Sequence, residues 1–302
     1  MPRFGDVVIA PGFSGMVSNG FGVIFYVSNT TNPTENQGAP GPGPAGRSPR
    51  GPFTTIQAAI NAAVAGRGDV IVIQRGTYTE TLAINKAGLT LMGAVPYGYP
   101  DHVIVTGRSV VTANGVSGYN LEFFSNSTTA ASLVVGTAVT EAVGSWWENC
   151  SFASDGITEP ACGALVSGGN DHAFVNCRFI DNGRGLIIHS GITSFASGLQ
   201  VRECQFLENT TVDLGDGASG DTTLGGLGES GGVRNLVCVR NTFGGGVTIP
   251  TDFVNFAGTS NGYMGQNLFA SATNASATIT VPAGILIGPN GTEAGWSTAR
   301  PA

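Results

Sequence analysis

The chain has 302 residues, a formal net charge of −7 at pH 7 and only 11% charged residues. Its 13 basic residues are scattered, whereas a phosphate-binding surface needs clustered lysine and arginine, so the composition argues against nucleic acid as a partner. No run of about 18 apolar residues is present, so we expect no membrane-spanning helix. The 47 glycines and the short apolar runs indicate an all-β protein with many tight turns.

The first 20 residues are rich in glycine and carry scattered apolar side chains, among them Phe4, Ile9, Phe13 and Met16. They lack a cationic region followed by an apolar core, so we expect no secretory signal. We interpret residues 1–20 as an N-terminal arm that anchors the chain to another protein.

Residues 21–28 (FGVIFYVS) are predicted to form the first strand, and residues 29–52, rich in proline, glycine and asparagine, a surface loop. Residues 53–65 (FTTIQAAINAAVA) have apolar residues at spacings of three and four, with Thr54 or Thr55 as the N-cap, which predicts a helix. Further short strands are predicted at 69–73, 78–84, 89–92 and 102–106.

A short phrase then recurs: a polar residue, usually cysteine or asparagine, any residue, and phenylalanine. Its phenylalanines Phe152, Phe179 and Phe206 are spaced by 27 residues, and weaker copies contain Phe123, Phe243 and Phe269. A fixed period of this size, with short β runs and no helical pattern, is typical of a solenoid. We therefore predict an all-β fold, a single-chain right-handed parallel β-helix over residues 21–270, capped at its N-terminal end by the short helix.

Two further segments depart from the repeat. Residues 213–232 are rich in glycine and aspartate and interrupt the period, so we predict a second surface loop there. Residues 271–302 are predicted to form a C-terminal strand pair and tail.

Three of the five cysteines, Cys150, Cys177 and Cys204, share one phase of the repeat. On a β-helix they would stack at the strand spacing of about 4.8 Å, as buried free thiols that behave like small apolar groups. A disulfide or a metal site is the alternative, although no Cys-x-x-Cys is present.

The N-terminal third resembles the start of a pectin-lyase-like β-helix. The matching stretches are FYVS at 25–28, PFTTIQAAI at 52–60, GDVIVI at 68–73 and GTYTE at 76–80. With no signal sequence before it, the pattern is most similar to the β-helix virion proteins of tailed bacteriophages, of the capsid-decorating and tailspike types. The resemblance implies a homotrimer on the outer surface of the virion, partnered by a major capsid or tail protein, without a cofactor. It leaves the activity open, because this fold carries many functions.

Polysaccharide cleavage on such a fold would need grouped carboxylates, either an acid and a base facing each other or a base with bound calcium. Asp181 and Glu208 are in phase, and Asp155 is one residue out of phase. They form either an acidic column or a set of solvated turn residues. Asp171 beside His172 is a further candidate, although neighbours on a strand point to opposite faces.

Asp213, Asp216 and Asp221, with Glu229, are the candidate metal ligands. Their spacing is not that of an EF-hand loop, and a flexible surface loop is the alternative reading. Trp146 and Trp147 are adjacent, so one of them is expected to face outward, either to stack on a sugar or to pack against a subunit.

The motifs of the pectinase-type hydrolases (Asn-Thr-Asp, Asp-Asp, Gly-His-Gly, Arg-Ile-Lys) are absent from the sequence. The sequence thus favours a non-enzymatic virion structural protein, a capsid decoration, cement or spike protein. The alternative is a tailspike-type protein that binds a host surface polysaccharide or cleaves it as a lyase or glycoside hydrolase.

Overall fold

The structure is a computed structural model. It describes residues 22–29, 45–96, 98, 102–137, 140–154, 162–189, 196–216, 232–244, 250–256, 259–270, 278–292 and 295–297. The predicted arm with Phe4, Ile9, Phe13 and Met16, and the candidate residues Asp155, Asp221 and Glu229, lie outside these ranges.

Short strands follow one another along the chain, and one helix, α1 (Ile56–Ala62), lies among the described residues. The strands are β1 (Ile24–Val27), β2 (Val70–Ile73), β3 (Gly76–Tyr78), β4 (Leu82–Ile84), β5 (Thr90–Gly93), β6 (Val103–Thr106), β7 (Ser109–Val111), β8 (Ser117–Tyr119), β9 (Leu121–Phe124), β10 (Leu133–Val135), β11 (Trp146–Glu148), β12 (Ser151–Ala153), β13 (Ala164–Ser167), β14 (Ala173–Val175), β15 (Arg178–Ile180), β16 (Arg184–His189), β17 (Ala196–Ser197), β18 (Gln200–Arg202), β19 (Gln205–Leu207), β20 (Val212–Gly215), β21 (Val233–Arg234), β22 (Leu236–Val239), β23 (Thr242–Phe243), β24 (Asp252–Asn255), β25 (Gly262–Gly265), β26 (Leu268–Phe269), β27 (Thr278–Thr280), β28 (Ile285–Ile287), β29 (Asn290–Thr292) and β30 (Gly295–Ser297).

The strands stack into three long sheets. Sheet A has the order β1-β2-β5-β8-β11-β14-β18-β22-β25-β28, sheet B β3-β6-β9-β12-β15-β19-β23-β26-β29-β30, and sheet C β4-β7-β10-β13-β16-β20-β24-β27. The paired strands are parallel except β29 and β30, and β17 and β21 form a separate small pair. One turn of the coil passes through A, B and C in succession, which confirms the predicted parallel β-helix. The sheets continue past residue 270, where we expected the coil to end.

Helix α1 is shorter than the predicted 53–65, because Phe53 bridges to Val27 and Ala63 is already extended. Thr55 is its N-cap and accepts a hydrogen bond from the Ala58 N–H. The helix contacts β1, β2 and β4, so it lies at the N-terminal end of the stack, as predicted for a cap.

The repeated phenylalanines form one continuous stack inside the coil. The ring centroids of Phe152, Phe179, Phe206, Phe243 and Phe269 are 4.8 to 5.1 Å apart from one rung to the next, and their planes are tilted by only 7° to 16°. Each ring therefore buries its face on the ring of the next rung, and no rung completes its core alone.

The cysteine column is buried as predicted, and none of the five cysteines, all within the described ranges, forms a disulfide. Burial raises the pKa of the Cys150 and Cys177 thiols well above the usual value. From Cys204 onward the column continues as Asn241, Asn267 and Asn290. Their buried side chains hydrogen-bond from rung to rung.

We expect Asn267→Ala to destabilise the fold by about 2–4 kcal/mol, because buried polar groups would lose their partners. The Asn267 Oδ1 accepts hydrogen bonds from the Asn241 N–H at 2.9 Å and Nδ2 at 3.0 Å, and its own Nδ2 donates to the Cys238 carbonyl at 3.0 Å. Urea unfolding followed by circular dichroism measures the loss. Gln205→Ala, a truncation at an exposed position, is the control and should cost less than about 0.5 kcal/mol. Equal stability of the two variants would contradict the role of the ladder.

Candidate functional site

Asp181 and Glu208 occupy equivalent turn positions on adjacent rungs. Each directly follows a sheet B strand, and the strands are in register, with Ile180 opposite Leu207. Both residues have a positive φ, 58° and 55°, so they form the left-handed corner at which the chain leaves sheet B. They lie side by side on one surface rather than on opposite sides of a cleft. This placement matches the turn reading, and the phase alone does not make them an acid–base pair.

Asp171 and His172 lie in different environments. Asp171 is exposed at another positive-φ turn, whereas His172 is fully buried. The His172 Nδ1 is 2.7 Å from the Ser145 hydroxyl, and its Nε2 is 3.2 Å from the Gly168 carbonyl. Burial lowers the pKa of His172 to about 4. The ring is thus neutral near pH 7, donates from Nε2 to Gly168 and accepts at Nδ1 from Ser145.

Asp213 lies on β20, so a strand extends into the segment that we predicted to be a loop from residue 213. The reason is that β20 pairs with β16 and β24, which the glycine-rich and aspartate-rich composition did not reveal. Asp213 is fully buried; its Oδ1 accepts from the Asn209 Nδ2 at 2.8 Å and its Oδ2 from the Gly244 N–H at 3.2 Å. Burial raises the pKa of Asp213 to about 7.

Asp216 is also buried, and its Oδ2 accepts a hydrogen bond from the Ser260 hydroxyl at 2.8 Å. Asp213 and Asp216 are therefore both engaged in hydrogen bonds with their own chain. In the part of the chain that the structure describes, no group of three or more His, Cys, Asp or Glu residues is placed to hold a metal ion. The proposed third ligand, Asp221, lies outside that part.

The tryptophan pair divides between inside and outside, as expected. Trp147 is fully buried and packs edge-on against Phe123, with ring centroids 5.6 Å apart. Gly118 makes room for it, since a Cβ there would be 2.4 Å from the indole ring. Trp146 faces outward, half-buried, and its Nε1 donates to the Glu148 Oε2 at 3.0 Å.

Trp146 belongs to a flat outer surface that we call the sheet A face, made of the outward residues of the ten sheet A strands. Its first column is Ile24, Val70, Thr90, Ser117, Trp146, Ala173, Gln200, Val237, Tyr263 and Leu286. Its second column is Tyr26, Val72, Met92, Tyr119, Glu148, Val175, Arg202, Val239 and Gly265. Burial, then the nearby Glu148 carboxylate, raise the pKa of Tyr119 to about 12. Tyr119, Trp146 and Glu148 thus form an aromatic centre on this face.

The outer face of sheet C differs from the sheet A face. Its central outward residues Val134, Leu165 and Ile187 are aliphatic and fully buried, and they form a second apolar cluster with Ala131 and Cys162. The middle of sheet C therefore presents no carboxylate outward. The sequence contains an indication of this cluster, since its strands are continuous apolar runs rather than alternating ones. The individually predicted strands end before these runs.

The chain adopts the pectin-lyase-like parallel β-helix fold. Pectin methylesterase from Aspergillus niger is similar to it, with a TM-score of 0.54 and 17% identity over 91% of this chain and 87% of that chain. A deglycosylated form of the same esterase has a TM-score of 0.51, with 16% identity over 91% of this chain and 86% of that chain. ORF18 of Geobacillus virus E2 has a TM-score of 0.46, with 14% identity over 79% of this chain and 53% of that chain. Protein-family models and the sequences of curated proteins give no match. In the described residues, no helix is long and apolar enough to cross a membrane.

The titration of Asp213 should make wild-type protein gain stability on acidification relative to Asp213→Asn. Because the folded pKa of about 7 lies above the unfolded value of 3.8, the stabilisation from protonated Asp213 is complete below about pH 4 and is lost as the pH rises through 7. Between pH 8 and pH 5 the difference in unfolding free energy should change by about 2–3 kcal/mol in favour of wild type. Urea unfolding at both pH values measures it.

The comparison with Asp213→Asn is necessary because His172 shifts stability in the opposite direction. Its folded pKa of about 4 lies below the unfolded value of 6.5, so its contribution is complete above pH 6.5 and declines toward pH 4. Both proteins contain His172, so subtracting the unfolding free energy of Asp213→Asn from that of wild type removes this opposing change. A difference between the two proteins that does not vary with pH would contradict the buried titration of Asp213.

Proposed function

We propose that this chain is a non-enzymatic structural protein on the outer surface of a bacteriophage particle, a capsid-decorating or spike protein that associates with copies of itself. The observation that carries the proposal is where the candidate acidic residues lie in the fold and what they contact. Asp213 and Asp216 hold neighbouring rungs together inside the coil, and Asp181 and Glu208 form its corners. The carboxylates of Asp213 and Asp216 thus serve the architecture, and Asp181 and Glu208 occupy turn positions on one surface.

The surface of the coil agrees with such a role. The sheet A face is long, flat and mostly uncharged, and such a face suits contact with another protein. The arm at residues 1–20, with Phe4, Ile9, Phe13 and Met16, is the proposed anchor to a major capsid or tail protein. A homotrimer is the stoichiometry that the resemblance to phage virion proteins implies, and it stays a prediction.

A second candidate function is glycan binding without cleavage, in the manner of a tailspike. The observation that favours it is the aromatic centre, where Trp146 offers part of its ring beside Tyr119 and the Glu148 carboxylate. Aromatic rings stack on sugars, and the carboxylate is a hydrogen-bond acceptor for hydroxyl groups.

A panel of bacterial capsular polysaccharides and polygalacturonate tests both functions. We expect no new reducing ends and no unsaturated products, and no change of tryptophan fluorescence. Cleavage that disappears in the double variant Asp181→Asn and Glu208→Gln would overturn the non-enzymatic proposal. Fluorescence quenching that is lost in Trp146→Ala but retained in Tyr263→Ala, an aromatic removal elsewhere on the same face, would establish the glycan-binding alternative.

Removal of residues 2–20 tests the anchor. We expect the truncated protein to keep its thermal unfolding temperature and its oligomeric mass but to lose co-sedimentation with particles of a phage that carries the full chain. For this assay, the particles are first stripped of the full chain. The matched control is the full chain added back to the stripped particles. Retained binding of the truncated protein would contradict the assignment of the arm.

A further inference from the structure

We propose that the sheet A face is the surface through which two copies of this chain pack face to face, about a twofold axis near Val175. This inference rests on the self-association in the proposed function and names its surface. It also departs from the trimer that the resemblance implies, since twofold packing of this face gives a dimer.

Exposed apolar side chains are concentrated on this face. Of the five large hydrophobic residues exposed in the described part of the chain, three, Ile24, Tyr263 and Leu286, belong to its first column. They are 46%, 37% and 69% exposed and lie near both ends of the sheet, with Trp146 near the middle of the same column. Exposed apolar side chains near both ends of the column, with Trp146 between them, indicate a partner of similar length rather than a small ligand at one point.

The size of the face fits a stable protein interface. Nine of its strands contribute two outward positions and β28 contributes one, so nineteen positions face one side, and eighteen of them carry a side chain because residue 265 is glycine. A standard interface uses roughly 20–30 residues on each side. A second copy of the chain supplies a flat surface of the same length and shape.

The charges of the face are complementary to themselves. Glu148 and Arg202 are its only charged residues, and they lie one strand to either side of Val175 in the second column. If two copies pack antiparallel about an axis through Val175, Glu148 of each copy faces Arg202 of the other. In copies packed parallel and at equal height, Glu148 would instead lie level with Glu148 of the other copy, and Arg202 with Arg202.

Glu148 and Arg202 do not pair within the chain. Their backbones are two strand spacings apart, about 10 Å, and none of the ion pairs among the described residues joins them. Glu148 accepts a hydrogen bond from Trp146 instead, and the Arg202 side chain is half-buried on the face. The Glu148 carboxylate of a second copy would give the Arg202 guanidinium an ion-pair partner that the described part of its own chain does not provide.

A charge exchange tests the pairing through the oligomeric mass, by light scattering after size exclusion and by sedimentation over a range of concentrations. Wild type should have twice the chain mass of 30.7 kDa. Glu148→Arg alone and Arg202→Glu alone should each raise the dimer dissociation constant at least tenfold or so, because each creates two like-charge contacts. The double exchange should restore it to within about threefold of wild type.

Tyr263→Lys and Leu268→Lys form a matched control pair. The two residues are equally exposed, 37% and 38%, and lie on consecutive strands of one rung, but Tyr263 is on the sheet A face and Leu268 is on sheet B. Only Tyr263→Lys should weaken the dimer. Thermal unfolding of each variant verifies that the fold is retained.

Val175→Cys tests the axis itself. The native cysteines are all buried, so a short bifunctional maleimide should join two copies through residue 175, whereas Ile180→Cys on sheet B should give no rapid crosslink. A trimer that is insensitive to the charge exchange would overturn this inference and leave the proposed function standing. A wild-type monomer would overturn this inference and the self-association, and the polysaccharide panel would still decide the non-enzymatic role. A monomer whose Trp146 fluorescence responds to a glycan would assign the face to that ligand.

Discussion

The structure depends on stacking in register, in which equivalent side chains of successive rungs fill the same space. The phenylalanine stack shows this for apolar groups, with rings 4.8 to 5.1 Å apart over five rungs. The asparagine ladder shows it for polar groups, since the Asn241 N–H and amide both donate to Asn267. A rung therefore has neither a complete core nor satisfied polar groups until its neighbour is in place, which makes the coil cooperative along its length.

This constraint explains which parts of the fold were predictable. The 27-residue period indicated the β-helix and the buried cysteine column, because a position that repeats exactly in sequence must repeat in space. The loop predicted from residue 213 is wrong for residues 213–215, because that prediction rests on a composition rich in glycine and aspartate, and aspartate is usually solvated. In the structure the Asp213 carboxyl group accepts hydrogen bonds from Asn209 and Gly244, and no local pattern in the sequence predicts those two partners.

The candidate site shows a second limit of sequence phase. Asp181 and Glu208 are in phase because the corner after sheet B recurs on each rung with a positive φ. A catalytic column and a corner column repeat with the same period, so the spacing cannot separate them. What separates them is backbone conformation and the direction of the side chain, and neither is visible before the fold is known. That one of the two adjacent tryptophans faces outward was predictable from alternation along a strand, but which of the two was not.

The two outer faces of the coil explain where contact with another molecule is favourable. On sheet C, the outward residues Val134, Leu165 and Ile187 are already fully buried, so no further apolar area is available there. On sheet A, Leu286 and Ile24 remain exposed to water at opposite ends of one column, and burying such area is the main source of association free energy. The apolar outer residues of sheet C are thus already covered, whereas those of sheet A remain exposed, so association through the sheet A face is favoured. The two charged residues on that face, Glu148 and Arg202, then decide the register in which a partner fits.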